Sequence, residues 1–442
     1  MTHGGASPDR SADDADTAGA RDAGDAGLIA SLRGLGQDGR TLFLLRTLRM
    51  FGYGFLAVIL VLYLAASGLD PLAIGLVLTL TLVGDAIVSL WLTTNADRVG
   101  RRHVLVLGSG LVVLAGAVFA GTDMVPVLIV AGVIGVISPT GNEVGPFLAV
   151  EQAALTQIVS DRRRTATFAW YNLVGYVATA TGALVAGLTS QSLLDGGAPP
   201  LDAYRAVVIG YAVLGLSMAA VAWRLGPSIE AYPVPGPPAD GASDRGRLGL
   251  GRSRSVVLRL SALFSLDAFA GGFIPQSLMA YWFHVRFGVD PSALGAIFFA
   301  ANLLAAVSAL SAARIAARIG LIATMVFTHL PSNVLLLLVP LMPNVELAVA
   351  VLLLRFTLSQ MDVPTRQSYV MAVVDPQERS AAAGVTGIAR TVGASVSPSI
   401  SSVLIANAGL ASIPFFLAGG LKIAYDLLLY RDFRAHRPPE ER

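Results

Sequence analysis

Apolar runs of about 20 residues recur along this chain from Thr41 onward, and each run is long enough to cross a bilayer as one helix. Only 14% of the 442 residues are charged, whereas soluble domains carry about 25%. The pattern therefore predicts an all-α integral membrane protein with twelve transmembrane helices. The predicted spans are residues 42–66, 72–93, 103–121, 125–153, 166–190, 202–224, 255–284, 292–313, 319–340, 344–371, 381–405 and 410–430.

Arginine is concentrated in one alternate set of the connections between these spans. The other set carries little beyond Arg205 and Arg286. Because cytoplasmic loops of membrane proteins carry an excess of basic residues, we expect the arginine-rich set to be cytoplasmic. The prediction is a multi-pass protein of the cytoplasmic membrane with both termini in the cytoplasm. The rich set contains Arg98, Arg101, Arg102, Arg162, Arg163, Arg164, Arg245, Arg247, Arg252, Arg254, Arg314, Arg318, Arg379, Arg431 and Arg434.

Composition also divides the chain into segments. Residues 1–40 begin with a stretch of Asp, Ala, Gly and Ser that lacks an apolar face, which predicts a disordered cytoplasmic tail. Residues 226–254 are rich in Pro, Gly and Arg and are interpreted as a cytoplasmic linker. The linker separates two predicted six-helix bundles, residues 41–225 and 255–431, and residues 432–442 form a second cytoplasmic tail.

Three loops of the first half have counterparts in the second half, in the same order. A duplicated six-helix unit is a common way to build a transport path, which then lies at the interface of the repeats. The sequence therefore predicts two pseudo-symmetric bundles. The matched segments are Leu69-Asp-Pro-Leu-Ala-Ile-Gly75 with Val289-Asp-Pro-Ser-Ala-Leu-Gly295, Ala96-Asp-Arg-Val-Gly100 with Ala316-Ala-Arg-Ile-Gly320, and Val159-Ser-Asp-Arg-Arg-Arg-Thr-Ala166 with Val374-Asp-Pro-Gln-Glu-Arg-Ser-Ala381.

The loop Asn95–His103, between the second and third spans, carries a recognisable motif. It is similar to the pattern Gly-x-x-x-Asp-Arg-x-Gly-Arg-Arg of the major facilitator superfamily, with Thr93 in place of the leading glycine. With the twelve spans, the duplication and the linker, residues 41–432 resemble a bacterial member of that superfamily, without indicating a subfamily. The matching residues are Asp97, Arg98, Gly100, Arg101 and Arg102.

The motif has a physical interpretation of its own. Gly100 permits a tight turn between antiparallel helices, and Asp97 can meet the positive N-terminus of a neighbouring helix or pair with an arginine. The resemblance implies that this loop is a latch that closes the cytoplasmic side in the outward-facing state. In the second copy Ala317 replaces the aspartate, so a charged latch would be one-sided. The alternative is that the loop only sets orientation and forms a turn.

Polar residues within the predicted spans are candidates for solute or coupling-ion contacts, because an ionisable group in hydrocarbon is costly. Arg46 lies close enough to the cytoplasm to extend to the surface, and Glu151 is interpreted as structural. The alternative for each buried charge is a salt bridge between helices. The candidates of the first half are Arg49, Asp85, Asn142, Glu143, Tyr171 and Asn172.

In the tenth span Arg355, Asp362 and Arg366 fall within about 20° of one line along the helix. The repeat register pairs Glu151 with Arg366, which predicts that the fourth and tenth spans meet across a central cavity. A structural salt-bridge network is the alternative. Further candidates of the second half are Asp267 and Gln276, on the seventh span.

Four other polar residues receive lesser roles. His329 and Asn333 are expected to serve packing in a peripheral ninth span, because the family fold places that span outside. Lys422 is expected to extend to the cytoplasmic surface, and Arg390 to neutralise an acid such as Asp85 or Asp362.

These features favour a secondary transporter that moves a small solute by alternating access. Proton coupling through Asp85, Glu143, Asp267 or Asp362 is a hypothesis that rests on their buried positions, and the resemblance favours export. The alternatives are an uncoupled facilitator or importer of a polar metabolite, and a non-transporting receptor or scaffold on the same fold.

The sequence contains neither Gly-x-x-x-x-Gly-Lys nor a His/Glu cluster with metal-ligand spacing, and it has no cysteine. We therefore expect no enzymatic activity, cofactor, bound metal or nucleic-acid partner. The expected partners are a small-molecule substrate, protons and the lipid bilayer, with the protein as a monomer.

Overall fold

The computed structural model describes residues 35–230, 250–375 and 378–434. Most of the predicted N-terminal tail, linker and C-terminal tail lie outside the described residues. Within the described ranges the regular structure is entirely helical. In chain order the helices are α1 (Gln37–Ala66), α2 (Pro71–Val99), α3 (Arg101–Gly121), α4 (Val125–Ile134), α5 (Phe147–Ile158), α6 (Asp161–Asp195), α7 (Pro200–Trp223), α8 (Arg254–Gly272), α9 (Gln276–Phe287), α10 (Pro291–Ile319), α11 (Leu321–Leu338), α12 (Val345–Phe356), α13 (Asp362–Val373), α14 (Arg379–Ala406) and α15 (Ile413–Phe433).

The predicted all-helical membrane fold with twelve spans is confirmed, and three of the spans are interrupted. The fourth consists of α4 and α5, the seventh of α8 and α9, and the tenth of α12 and α13. Ten helical segments of the described chain are long and apolar enough to cross a membrane, and α4 is a shorter apolar helix. The fourth and tenth spans fall short of that criterion because each is divided into two short helices.

The interruptions follow local sequence. Between α4 and α5 the backbone passes through Gly141 and Gly145, at φ values of 70° and 82° that favour glycine. Pro275 separates α8 from α9. In the tenth span the break precedes Pro364, which lies in the first turn of α13, where proline is tolerated. Such breaks free backbone N–H and C=O groups from helical hydrogen bonds within the membrane, where side chains can bond them.

Two of the three matched pairs of loop segments adopt the same local structure in both halves, and the third pair includes residues outside the described ranges. Asp70 and Asp290 cap α2 and α10, accepting hydrogen bonds from Ala73 N at 2.9 Å and Ala293 N at 2.8 Å. In each case a proline follows as the first helical residue. Gly100 and Gly320 turn the chain at φ values of 98° and 85°. We call α1–α7 the first half and α8–α15 the second half, and the exact bundle boundaries stay a prediction.

The two halves meet through α6 with α10 and through α2 with α14. A Cβ on Gly187 would lie 2.3 Å from the carbonyl oxygen of Pro291, so the two backbones touch. The hydroxyls of Thr79 and Ser399 lie 3.0 Å apart. These contacts occupy the helix ends remote from the Asn95–His103 loop. We call that end the far side, and the end that carries the loop the motif side.

Candidate functional site

The first half contains a buried group of charges that joins α1, α5 and α6, and we call it the first-half cluster. It consists of Arg46, Arg49, Glu143, Glu151 and Tyr171. The guanidinium of Arg49 donates to Glu151 at 2.5 and 2.8 Å and to Glu143 at 2.8 Å. Arg46 donates to Glu143 at 2.5 Å and to the carbonyl of Tyr171 at 2.9 Å. The hydroxyl of Tyr171 donates to Glu151.

This first-half cluster is satisfied throughout. The side chains of Arg49 and Glu151 are fully buried, at 0% exposure each. Arg46 lies 4.2 Å above the ring of Tyr171, and Arg49 lies 4.7 Å above the ring of Phe147. Two arginines therefore balance two glutamates, of which Glu151 is fully buried and Glu143 is 17% exposed, and such pairing is the condition under which buried charges are tolerated. The prediction that Arg46 extends to the surface is wrong, since its side chain is buried in these ion pairs.

Asp85, in the middle of α2, has partners of another kind. Its carboxylate accepts from the backbone N–H of Gly145 at 2.7 Å and from the hydroxyl of Ser89 at 3.2 Å. The residue is buried, and in the described part of the chain no cation is paired with it. Asp85 thus holds the interrupted backbone between α4 and α5 through neutral donors.

The second half contains a larger group of charges around Asp267 on α8, and we call it the second-half cluster. Lys422 donates to one carboxylate oxygen of Asp267 at 2.5 Å. Arg366 and Arg390 share the other oxygen, each at 3.4 Å. Arg366 also pairs with Asp362 at 2.8 Å. One carboxylate therefore draws together α8, α13, α14 and α15.

The cluster extends into α11 through His329, whose Nε2 lies 4.0 Å from Asp267. The Nδ1 of His329 is bonded to Asp426 at 2.8 Å, and Asn333 donates to Asp426 at 2.9 Å. His329 and Asn333 are buried in α11, and beyond the expected packing role both bond an acid on α15. Asp426 is missing from the predicted candidates, although an acid within an apolar span is the same signal that identifies Asp267.

One further prediction for this region is wrong: Lys422 does not extend to the surface, because its ammonium is buried against Asp267. Arg390 pairs with an acid as predicted, but that acid is Asp267 and neither of the two named examples, Asp85 and Asp362.

Arg355 lies at the end of α12 beside this cluster. It is 8% exposed, and within the described residues its Nε has no hydrogen-bond partner. Its guanidinium lies 5.2 Å from the centre of the Phe356 ring. Asp362 and Asp267 act on it electrostatically but do not form an ion pair with it.

The opposite charges on which the predicted meeting of the fourth and tenth spans rested, Glu151 and Arg366, do not pair with each other. Glu151 pairs with Arg49 on α1, and Arg366 pairs with Asp267 on α8. Each charge therefore bonds the first helix of its own half. The repeat register identifies equivalent positions, and equivalent positions in two pseudo-symmetric bundles need not touch.

The motif loop is held within the first half. Asp97 is 67% exposed and pairs with Arg101 at 3.0 Å, one of the two arrangements predicted for it. The acid at the N-terminus of α3 is Glu230, which accepts from Arg101 N at 2.7 Å and from Arg102 N at 3.2 Å. Arg98 is exposed. A latch role for these residues stays a prediction.

The remaining candidates lie apart from both clusters. Asn142 and Asn172 are exposed. Gln276 lies between the halves, where its Oε1 accepts from Asn302 at 3.3 Å and would lie 3.2 Å from a Cβ on Gly141. Beside it the N–H of Ser277 donates to the carbonyl of Pro139 at 3.1 Å. The functional roles of all these candidates stay predictions.

Comparison with known proteins agrees with this architecture. The model of the Major Facilitator Superfamily matches residues 42–398. The chain therefore belongs to the Major Facilitator Superfamily, and it is a membrane transporter and not an enzyme. A relative in Saccharomyces cerevisiae, the uncharacterized membrane protein YJR124C, is 30% identical over 407 residues, covering 86% of this chain and 91% of the relative. Because that relative is a yeast protein, a bacterial source stays a prediction.

Two solved structures illustrate the shared fold. The nucleoside transporter NupG (D323A mutant) superimposes with a TM-score of 0.71 at 12% identity, covering 89% of this chain and 99% of that one. A D-xylose-proton symporter superimposes with a TM-score of 0.68 at 14% identity, covering 89% and 97%. At these identities the likeness concerns the fold alone.

Proposed function

We propose that this protein is a secondary transporter that moves a small polar solute by alternating access, with export as the direction and protons as the coupling ion. The motif side is cytoplasmic in this proposal, as the distribution of arginine favours. The halves touch at the far side and Asp97 pairs within its own half, and both observations support a cytoplasm-facing state within this proposal. The direction rests on the family resemblance.

One observation carries the coupling proposal. Of the four candidate carboxylates, Glu143, Asp267 and Asp362 are paired with cations, whereas Asp85 accepts only from neutral donors in the described chain. An unpaired carboxylate in the membrane is costly when charged, so its charge is the easiest of the four to remove by protonation.

Asp85 also lies where protonation would affect the contact between the halves. It accepts from Gly145, in the interruption of the fourth span, and its helix α2 packs against α14 of the second half. Protonation weakens a charge-assisted bond to the Gly145 N–H. The interrupted backbone and α2 are then freer to move relative to each other.

Proton coupling is tested with the purified full chain in liposomes, after a thermal-shift screen of metabolites and drugs has identified a solute that stabilises it. We expect an imposed pH gradient to drive uphill flux of that solute. Asp85→Asn should abolish gradient-driven flux while equilibrium exchange continues. Asp202→Asn, at an exposed far-side position, is the matched control. Wild-type flux that ignores the pH gradient would remove proton coupling and favour a facilitator.

Alternating access is tested by a reversible lock on the far side. The chain has no cysteine, and the hydroxyls of Thr79 and Ser399 are 3.0 Å apart. The two side chains touch, so the thiols of the double variant Thr79→Cys/Ser399→Cys would lie close enough for oxidative cross-linking to be tried. We expect oxidation to abolish flux and reduction to restore it, while each single variant stays active. Undiminished flux in the fully cross-linked protein would contradict opening of the far side.

A further inference from the structure

Taken together with Arg355 beside it, the second-half cluster contains more positive than negative charge. Three carboxylates, Asp267, Asp362 and Asp426, face four cations when His329 is neutral. An excess charge inside the membrane is costly unless an opposite charge joins it. The cations are Arg355, Arg366, Arg390 and Lys422.

The excess is located on two of the four cations. Lys422 holds one oxygen of Asp267 at 2.5 Å, and Arg366 has Asp362 at 2.8 Å. Arg390 has only the shared oxygen of Asp267, at 3.4 Å. Arg355 forms no ion pair with the described residues, although it is only 8% exposed. Arg355 and Arg390 are therefore the cations with bonding capacity left, and both interact electrostatically with the same two acids, Asp267 and Asp362.

Arg390 is also partly accessible. Its side chain is 35% exposed, although it lies well inside α14. Gly384 and Gly387 precede it at intervals of three residues, so each lies next to the following one on the helix surface. A Cβ added to either glycine would meet no atom within 4 Å. The surface of α14 that leads to this guanidinium therefore carries no side chain at these two positions.

We propose that the second half binds an oxyanion of the transported solute, a carboxylate or a phosphate, at Arg390 with Arg355 as the second cation. This inference rests on the proposed transport function and specifies its substrate class. A guanidinium offers paired N–H donors that match the oxygens of either group. A bound oxyanion removes the charge excess, and it competes with Asp267 for Arg390.

The test uses purified wild-type protein in detergent at constant ionic strength. The probes are inorganic phosphate and the matched pairs succinate with succinamide and benzoate with benzamide, and the readout is the unfolding midpoint. We expect at least one oxyanion to raise the midpoint and its neutral partner not to do so. Phosphate and the carboxylates form separate arms, so the responding arm identifies the group.

The variants assign the effect to the two arginines. Arg390→Gln should weaken the apparent affinity for the responding anion at least about tenfold, and Arg390→Lys should retain part of it. Arg355→Gln should weaken binding as well, while the midpoint without anion stays equal or rises, because the variant removes an unpaired buried charge. A purely structural Arg355 would instead lower that midpoint. Arg205→Gln, also 35% exposed, is the control.

Two results would overturn the inference: amides that stabilise as well as their acids, or an anion response that is unchanged in Arg390→Gln. Absence of any response to the oxyanions in the wild type counts against it equally. Failure here is distinguishable from failure of the transport proposal, because liposome flux of a neutral or cationic solute would leave transport standing.

Discussion

The two halves place opposite charges at equivalent positions. In the first half α1 provides Arg49 and the fourth span provides Glu151, whereas in the second half α8 provides Asp267 and the tenth span provides Arg366. Each ion pair joins the first span of a half to the fourth span of the same half. The two halves thus contain equivalent ion pairs in which the acid and the base have exchanged places.

The surroundings of these two pairs differ. The Arg49–Glu151 pair has 0% exposure on both side chains and forms part of a balanced set. Asp267 serves three cations, one of which, Arg390, is 35% exposed. The first-half cluster is balanced and its most accessible member, Glu143, is 17% exposed, whereas the second-half cluster has a cation that water or a ligand can reach. The difference favours the second half as the place to seek a contact with the solute, while the coupling proposed for Asp85 belongs to the first half.

The largest expected effect on stability comes from removing a cation of the first-half cluster. Arg49→Gln leaves Glu151 without its cation at a fully buried position, which should cost about 3–5 kcal/mol of stability. The measurement is the unfolding midpoint in detergent. The double variant Arg49→Gln/Glu151→Gln should recover most of the loss, because it removes the stranded charge as well. A single variant as stable as the wild type would contradict the description of this cluster as balanced.

The sequence sufficed for the fold because its signals are local. Apolar length and arginine placement predict spans one at a time, and the Asp-Pro and Gly turns repeat at Asp70 with Asp290 and Gly100 with Gly320. It also identified most of the charges in the two clusters, since any ionisable residue in an apolar span is conspicuous.

The sequence does not predict which of the buried charges form ion pairs with each other. Which charges pair depends on helix rotation and on which helices are neighbours, and neither is local. Lys422 was expected to reach the surface from its distance to the helix end, but its face of α15 points at Asp267. Likewise Glu230, in the predicted linker, reaches the N-terminus of α3 through tertiary packing that no spacing rule contains.

The smallest expected effect on stability tests the other side of the comparison. Arg390→Gln should cost less than about 1 kcal/mol, because its ion pair is long, its side chain is partly exposed, and Lys422 and Arg366 remain on Asp267. Arg205→Gln is the reference variant, because Arg205 has the same 35% exposure and an ion pair of 3.3 Å. Its loss of stability is the loss expected for a partly exposed arginine. Unfolding midpoints of the two variants should agree within error. A loss as large as that of Arg49→Gln would mean that both clusters are equally closed, and the second half would then have no cation to offer a solute.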